Sequence, residues 1–316
     1  MLSRTAANLY WMGRYMERAE NLARILEVGY RMSQMPNWES GGTRNEWRSS
    51  AVTAACEKGL IEKHGEATLE SVIAYIILDE DNPSSIHACL KTARTNARAV
   101  RTALTSEIWE SLNDAWLEFD GRWRKNLRRD DLLPFLDWVK TRSTLFRGAM
   151  LGTMLRDQAF SFISLGAFLE RADNTARILD VKYHVLLPAG DPVGGSADYY
   201  QWSTILRSVS ALGSFHWVYR DSITPWKVAE LLILRQEMPR SLVYSLSQVV
   251  RYLEAIDGEA GRHYDCHRLA GKLHSQLTYS RIEDVFQNGL HEYLTDFLAR
   301  NNALGMEIAD NYHFYL

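Results

Sequence analysis

The sequence predicts an all-α protein: a compact multi-helix bundle built from two internal repeats of about six helices related by a pseudo-twofold axis. Three observations carry this. Helical periodicity runs through the chain with no convincing run of alternating strand pattern. A helix-length stretch occurs twice. Pairs of helix boundaries then recur at a nearly constant offset. The repeated stretch is GRYMERAENLARILEV from Gly13, matched by GAFLERADNTARILDV from Gly166, 153 residues later. Ten of the sixteen aligned positions are identical, and Glu20/Asp173 and Glu27/Asp180 keep their charge.

At 100° per residue, Trp11, Tyr15, Met16, Ala19, Leu22, Ala23 and Leu26 form an apolar face. Gly13, Glu17, Glu20, Asn21 and Arg24 gather on the opposite side. A solvated face is where a duplicated copy drifts most cheaply, because surface changes usually cost within about 0.5 kcal/mol. Here the polar residues are kept in both copies, while apolar positions change from Tyr15 to Phe168, Met16 to Leu169 and Leu22 to Thr175. The polar arc is therefore expected to face other helices or a cleft, and its charges to be paired there. Glu17, Arg18, Glu20, Asn21 and Arg24, with their counterparts Glu170, Arg171, Asp173, Asn174 and Arg177, are the first candidate binding residues.

In order, Ser3 is the expected cap of a helix reaching about Ser33, followed by a loop from Met35 to Thr43. Its counterpart is Pro188 to Ser196, and Gly41 and Gly194 are again 153 apart. Helices follow near Asn45 and Asp198. Thr68 and Thr224 cap the next pair, the second with Pro225 at the first helical position. Pro83 and Pro239 each precede a long helix, Ser84 to Leu104 and Arg240 to Ala255. A further helix follows Ser106, Arg122 to Arg129 reads as an interhelix turn, and the last helix of the first half runs from about Asp137 to Met154. LLPFLDWVK at Leu132 is echoed by LHEYLTDFLAR at Leu290, so the offset grows to 158 through small insertions. The repeats are 1–155 and 156–316. Two copies are too few for an open solenoid and are expected to pack as one body.

With 46% hydrophobic and 24% charged residues and a net charge of −3, the composition is that of a globular protein with no basic field for nucleic acid. No apolar run is long enough to cross a bilayer. Three scattered cysteines and no leader pattern fit a reduced, cytoplasmic setting. The ten Trp and fifteen Tyr read as helix-packing residues.

The recognised motifs of catalysis are missing: no phosphate-binding glycine loop, no HExxH, no ExxH pair for a di-iron bundle and no nucleophile elbow. No cofactor or metal is expected. Cys266 beside His267 is discounted because adjacent helical residues point apart. Two other polar groups qualify as candidates. Arg94, Arg98 and Arg101 lie on one helix face, to be neutralised by Glu107 and Glu110 or by an anion. His216 and Arg220 sit in the patch FHWVYRD.

The stretches LYWMGRYMERAENLARIL, GAFLERADNTARILDVKYH, ARTNARAVRTALTSEIWESLN, FHWVYRD and MPRSL together resemble the alpha-E domain family, across essentially the whole chain. That resemblance implies an all-helical bacterial protein encoded beside a circularly permuted ATP-grasp protein and a transglutaminase-like protein, in a system of ATP-driven amide ligation. Two functions follow as expectations. One is an accessory or scaffold subunit that docks the ligase or presents a peptide or carboxylate in a polar cleft. The other is an enzyme in which Glu17 or Glu170 acts as acid/base and Arg24, Arg177 or Arg98 holds the substrate.

Overall fold

The computed structural model describes residues 1–34, 46–184, 195–257, 263–287 and 289–314, and among these every regular element is helical. Helix α1 spans Ser3–Ser33, followed by α2 (Glu46–Thr53), α3 (Glu57–His64) and α4 (Leu69–Val72), which runs on as a π-helical stretch, Ile73–Leu78. Then come α5 (Ile86–Ala99), α6 (Ser106–Glu118), a second π-helical stretch Phe119–Trp123 leading into α7 (Arg124–Asn126), and α8 (Leu132–Thr153). The remaining helices are α9 (Gln158–His184), α10 (Ser196–Ser208), α11 (Leu212–Tyr219), α12 (Pro225–Ile233), α13 (Leu242–Asp257), α14 (Asp265–Tyr279), α15 (Ile282–Gln287) and α16 (Leu290–Asn311).

Local chemistry places most of these boundaries. Thr68 accepts from Ser71 N at 3.1 Å and Ser71 Oγ accepts from Thr68 N at 2.8 Å, a reciprocal cap. Thr224 caps α12 with Pro225 at its first position. Other boundaries correct the sequence reading. Ser3 caps nothing: it lies inside α1, and Leu2 stands at the cap position with no side-chain bond. The helix after Pro83 is capped by Ser85, whose Oγ accepts from Ala88 N at 2.9 Å, and it ends at Ala99 before a 3-10 turn, Arg101–Ala103. The segment Arg122 to Arg129 is largely helical rather than a turn, because Phe119 and Trp123 anchor it against Phe135 and Trp138. Helix α8 starts at Leu132, not Asp137, since Pro134 falls in its first turn, where its missing N–H costs nothing. The loop Met35 to Thr43 and most of Pro188 to Ser196 lie outside the described residues.

Helices α1 and α9 form the centre. Helix α1 packs against α9, α5, α8, α2 and α10, and α9 in turn against α13, α16, α2, α10 and α12. Tyr10 lies beside Gly166, Glu17 beside Arg171, and Val28 in a small apolar cluster with Val181. Residue numbers therefore rise together along the seam, and the two helices run parallel.

Their close approach depends on two glycines. A Cβ on Gly13 would stand 2.2 Å from the Ile163 carbonyl oxygen, and one on Gly166 would stand 2.1 Å from the Tyr10 carbonyl oxygen. In each case the obstacle is backbone on the opposite helix, which cannot rotate away. Replacing Gly166 with alanine should force the helices apart and lower stability by about 1–3 kcal/mol despite alanine's better helix propensity. Denaturant unfolding of Gly166→Ala beside Gly148→Ala, a glycine whose Cβ would meet open space, checks this: only the first should lose stability.

Candidate functional site

The polar arc of each central helix is buried. Glu17, Glu20, Asn21, Arg24, Glu170, Arg171, Asp173 and Asn174 are all buried. Charge can be held there because each carboxylate meets at least one guanidinium group, Glu17 and Glu170 across the seam itself. Arg171 of α9 grips Glu17 of α1 side-on, Nε to Oε1 at 2.8 Å and Nη2 to Oε2 at 2.8 Å. Arg18 of α1 returns the same grip on Glu170 of α9, Nε to Oε1 at 2.6 Å and Nη2 to Oε2 at 3.0 Å. The Glu-Arg dipeptide occurs in the chain only at 17–18 and 170–171, and the two copies exchange partners. Adjacent residues are 100° apart on a helix. At a parallel seam that angle lets one helix offer an acceptor and a donor to its neighbour at the same level.

Around this exchange the surroundings differ. Glu170 also accepts from Arg14 Nε at 2.8 Å, and Arg14 stacks on Trp11. Glu17 also accepts from Arg240 Nη1 at 3.1 Å and Arg147 Nη1 at 3.2 Å. Glu20 binds Arg24 at 2.7 Å, Ser143 Oγ at 2.7 Å, and both Arg147 and Arg240. Arg24 further donates to the Ser208 carbonyl and to Ser210 Oγ at 3.3 Å, tying α1 to the end of α10. Asp173 pairs with Arg177 at 2.6 Å. Asn174 Nδ2 approaches the Glu17 carbonyl at 3.5 Å, while Asn21 Oδ1 is buried without a partner.

These contacts set the protonation states. Burial would raise the Glu17 carboxyl, but Arg171 and Arg240 overcome it and hold it at about 2. Burial likewise opposes Glu170, and Arg18 and Arg14 bring it to about 2. Glu20 is lowered well below the usual range by Arg240, Arg147 and Arg24 against its own burial. An acid/base carboxylate at neutral pH needs an upward shift, so the direction found for Glu17 and Glu170 is opposite to what that role requires.

The other candidate residues stand apart from this network. Arg94, Arg98 and Arg101 make no ion pair with Glu107 or Glu110 among the described residues. Arg94 instead bonds Asn113 Oδ1 at 2.9 Å, Arg94 and Arg101 both lie over the Trp109 ring, and Arg98 is exposed. His216 is exposed, and Arg220 ends α11 in the left-handed conformation (φ 48°), off the helical face assumed for the pair. Cys266 and His267 do meet, Sγ to Nδ1 at 3.6 Å, because they occupy the first turn of α14, where His267 folds back toward Tyr264 N. Burial pushes that thiol up to about 12, so it is no nucleophile at neutral pH.

Sequence comparison of the two copies missed Arg14, Ser143, Arg147 and Arg240. Arg14 faces Ala167 in the alignment, and Arg147 and Arg240 lie on other elements. Arg240 alone left a trace, inside the MPRSL stretch. The described residues contain no group of three or more His, Cys, Asp or Glu placed to hold a metal ion. No helix among them is long and apolar enough to cross a membrane. The three cysteines are free and buried.

The chain is thus an all-helical protein whose two Glu-Arg dipeptides pair with each other between parallel helices. The chain belongs to the alpha-E family, described as a predicted α-helical domain with a conserved ER motif, which matches residues 1–313. It is also similar to an uncharacterized protein of Mycobacterium bovis, 24% identical over 330 residues, covering 97% of this chain and 36% of that protein. Uncharacterized proteins of two Mycobacterium tuberculosis strains match to the same extent. The chain thus spans about a third of the length of these curated relatives. No solved structure matches it.

Glu17→Gln should leave Arg171 without a carboxylate and Arg240 and Arg147 with Glu20 alone, and cost about 3–5 kcal/mol of stability, measured by denaturant unfolding. Acid should act the same way on the wild type. Both exchanged glutamates titrate lower folded, near 2, than their ordinary 4.5, so the unfolded chain binds protons more tightly. Their contribution is complete above about pH 4.5 and is lost as pH falls toward 2. A melting temperature that stayed flat between pH 5 and pH 2.5 would contradict this.

Proposed function

We propose that this protein is a non-catalytic binding or scaffold subunit of a bacterial ATP-dependent amide-ligating system. In this reading it docks a circularly permuted ATP-grasp protein, with a transglutaminase-like protein as a further associate, and presents a peptide or carboxylate substrate. The observation that carries the reading is the state of the glutamates. Every candidate acid/base carboxylate is gripped by two or more guanidinium groups and held ionised far below neutrality, which suits a permanently charged framework and not a proton-transfer site. The length of the mycobacterial relatives agrees, since a region covering about a third of them works there alongside other sequence.

The same reading takes the chain as two repeats, 1–155 and 156–316, about a pseudo-twofold axis. Supporting it are the reciprocal Gly13/Gly166 contacts, the exchanged Glu17–Arg171 and Glu170–Arg18 pairs, and the matching neighbours of the central helices: α5 and α8 on α1, α13 and α16 on α9. The duplicated arc then serves as the joint between repeats, and binding belongs to the surfaces around it.

Purified protein should be retained by the ATP-grasp protein encoded beside it and give a saturable calorimetric titration, with or without nucleotide. Failure to associate under both conditions would overturn the scaffold reading. In the reconstituted pathway, a folded Glu170→Gln variant should keep turnover; a loss of turnover with association intact would favour the enzyme.

A further inference from the structure

We infer that a cavity on the Glu17 side of the central seam binds an organic anion, with a carboxylate or phosphate head and an aromatic or aliphatic tail. The inference deepens the binding-subunit reading and rests on it. Four independent features point to this cavity.

The first is a charge imbalance. Glu17 and Glu20 are two carboxylates, and they meet four guanidinium groups, those of Arg24, Arg147, Arg171 and Arg240. Two positive charges are left without a carboxylate, and two of the four arginines, Arg147 and Arg171, line the cavity, where a bound anion would meet them. Arg240 registers the surplus: burial, then its neighbours Arg24 and Arg171, bring it down to about 10 even with Glu17 and Glu20 in contact.

The second feature is access. A cavity of about 540 Å³ opens directly onto Glu17, Arg147 and Arg171, a size typical of small-molecule sites. Arg171 spends Nε and Nη2 on Glu17, and its Nη1 has no hydrogen-bond partner among the described residues.

The third is Ser164, 1% exposed, which lines this cavity with a buried hydroxyl that bonds nothing. A buried hydroxyl without a partner is costly, and a ligand oxygen would satisfy it.

The fourth is the wall. Phe168 and Tyr252 stack with ring centres 5.9 Å apart, and Arg171 lies over the Phe168 ring at 4.7 Å. Met150 and Leu151 also line the cavity, as does exposed Arg251, which makes no ion pair among the described residues. The charged end would hold the head group and the apolar wall the tail. Inorganic phosphate fills only a small part of such a space.

Calorimetry at low salt and pH 7 on the full chain tests this with phenylacetate and phenyl phosphate, against benzyl alcohol and inorganic phosphate. At least one aromatic anion should bind saturably at one site, about tenfold more tightly than either control. Which of the two binds more tightly assigns the head group. Arg251→Ala, an exposed change, should weaken binding about threefold to tenfold. Gly148→Trp, at a cavity-lining position with open space around its Cβ, should abolish it while the melting temperature is kept. Inorganic phosphate binding as tightly as phenyl phosphate would overturn the apolar half. No saturable binding, or binding indifferent to both variants, would overturn the site. Neither outcome touches association with the ATP-grasp protein, which reads the scaffold proposal separately.

Discussion

The structure depends on charge exchanged between two parallel helices at a contact too close for any side chain larger than hydrogen. Gly13 and Gly166 let the backbones of α1 and α9 meet, and four residues further along each helix that proximity brings Glu17 and Glu170 within reach of the opposite arginine. Closeness and charge sustain each other. Without the glycines the helices separate and the side-on grips fail; without the grips, buried carboxylates would have to be protonated or expelled.

Burying so many ions has its own consequence. A desolvated pair contributes little net stability compared with an apolar contact of the same shape, but removing one partner is severe. The seam therefore specifies register and partner more than it adds strength. A one-residue slip of α9 along α1 would set Glu17 against Glu170 in one direction or Arg18 against Arg171 in the other. The polar seam thus enforces a unique docking of two helices that are far apart in sequence.

The two sides of the seam are dressed differently. Glu170 meets two guanidinium groups, Arg14 and Arg18, a surplus of one positive charge, whereas Glu17 and Glu20 meet four, a surplus of two, beside an open cavity. If duplication made the framework, further arginines and a cavity have been added on one side of it. Arg147 comes from α8 and Arg240 from just before α13, neighbours of α1 and α9 that carry no part of the repeated dipeptide.

Much of this was legible in the sequence. Periodicity and capping residues such as Thr68 and Thr224 placed most helices, because those signals act within a turn or two of chain. The duplicated arc of Glu17, Asn21 and Arg24 marked the buried surface, because a polar face that resists change between copies is not free in solvent. What the sequence did not show was which charges meet. Arg18 reaching Glu170, Arg240 joining Glu17 and Glu20, and Arg94 choosing Asn113 over Glu107 or Glu110 are decisions of distance in space. The sequence by itself determined the helices, the repeated arc and the family likeness, since these depend on local spacing and residue type. Only the tertiary structure decided the ion-pair partners, the depressed carboxyl pKa values and the positively biased cavity, since each follows from how deeply, and against which other helix, a charge is buried.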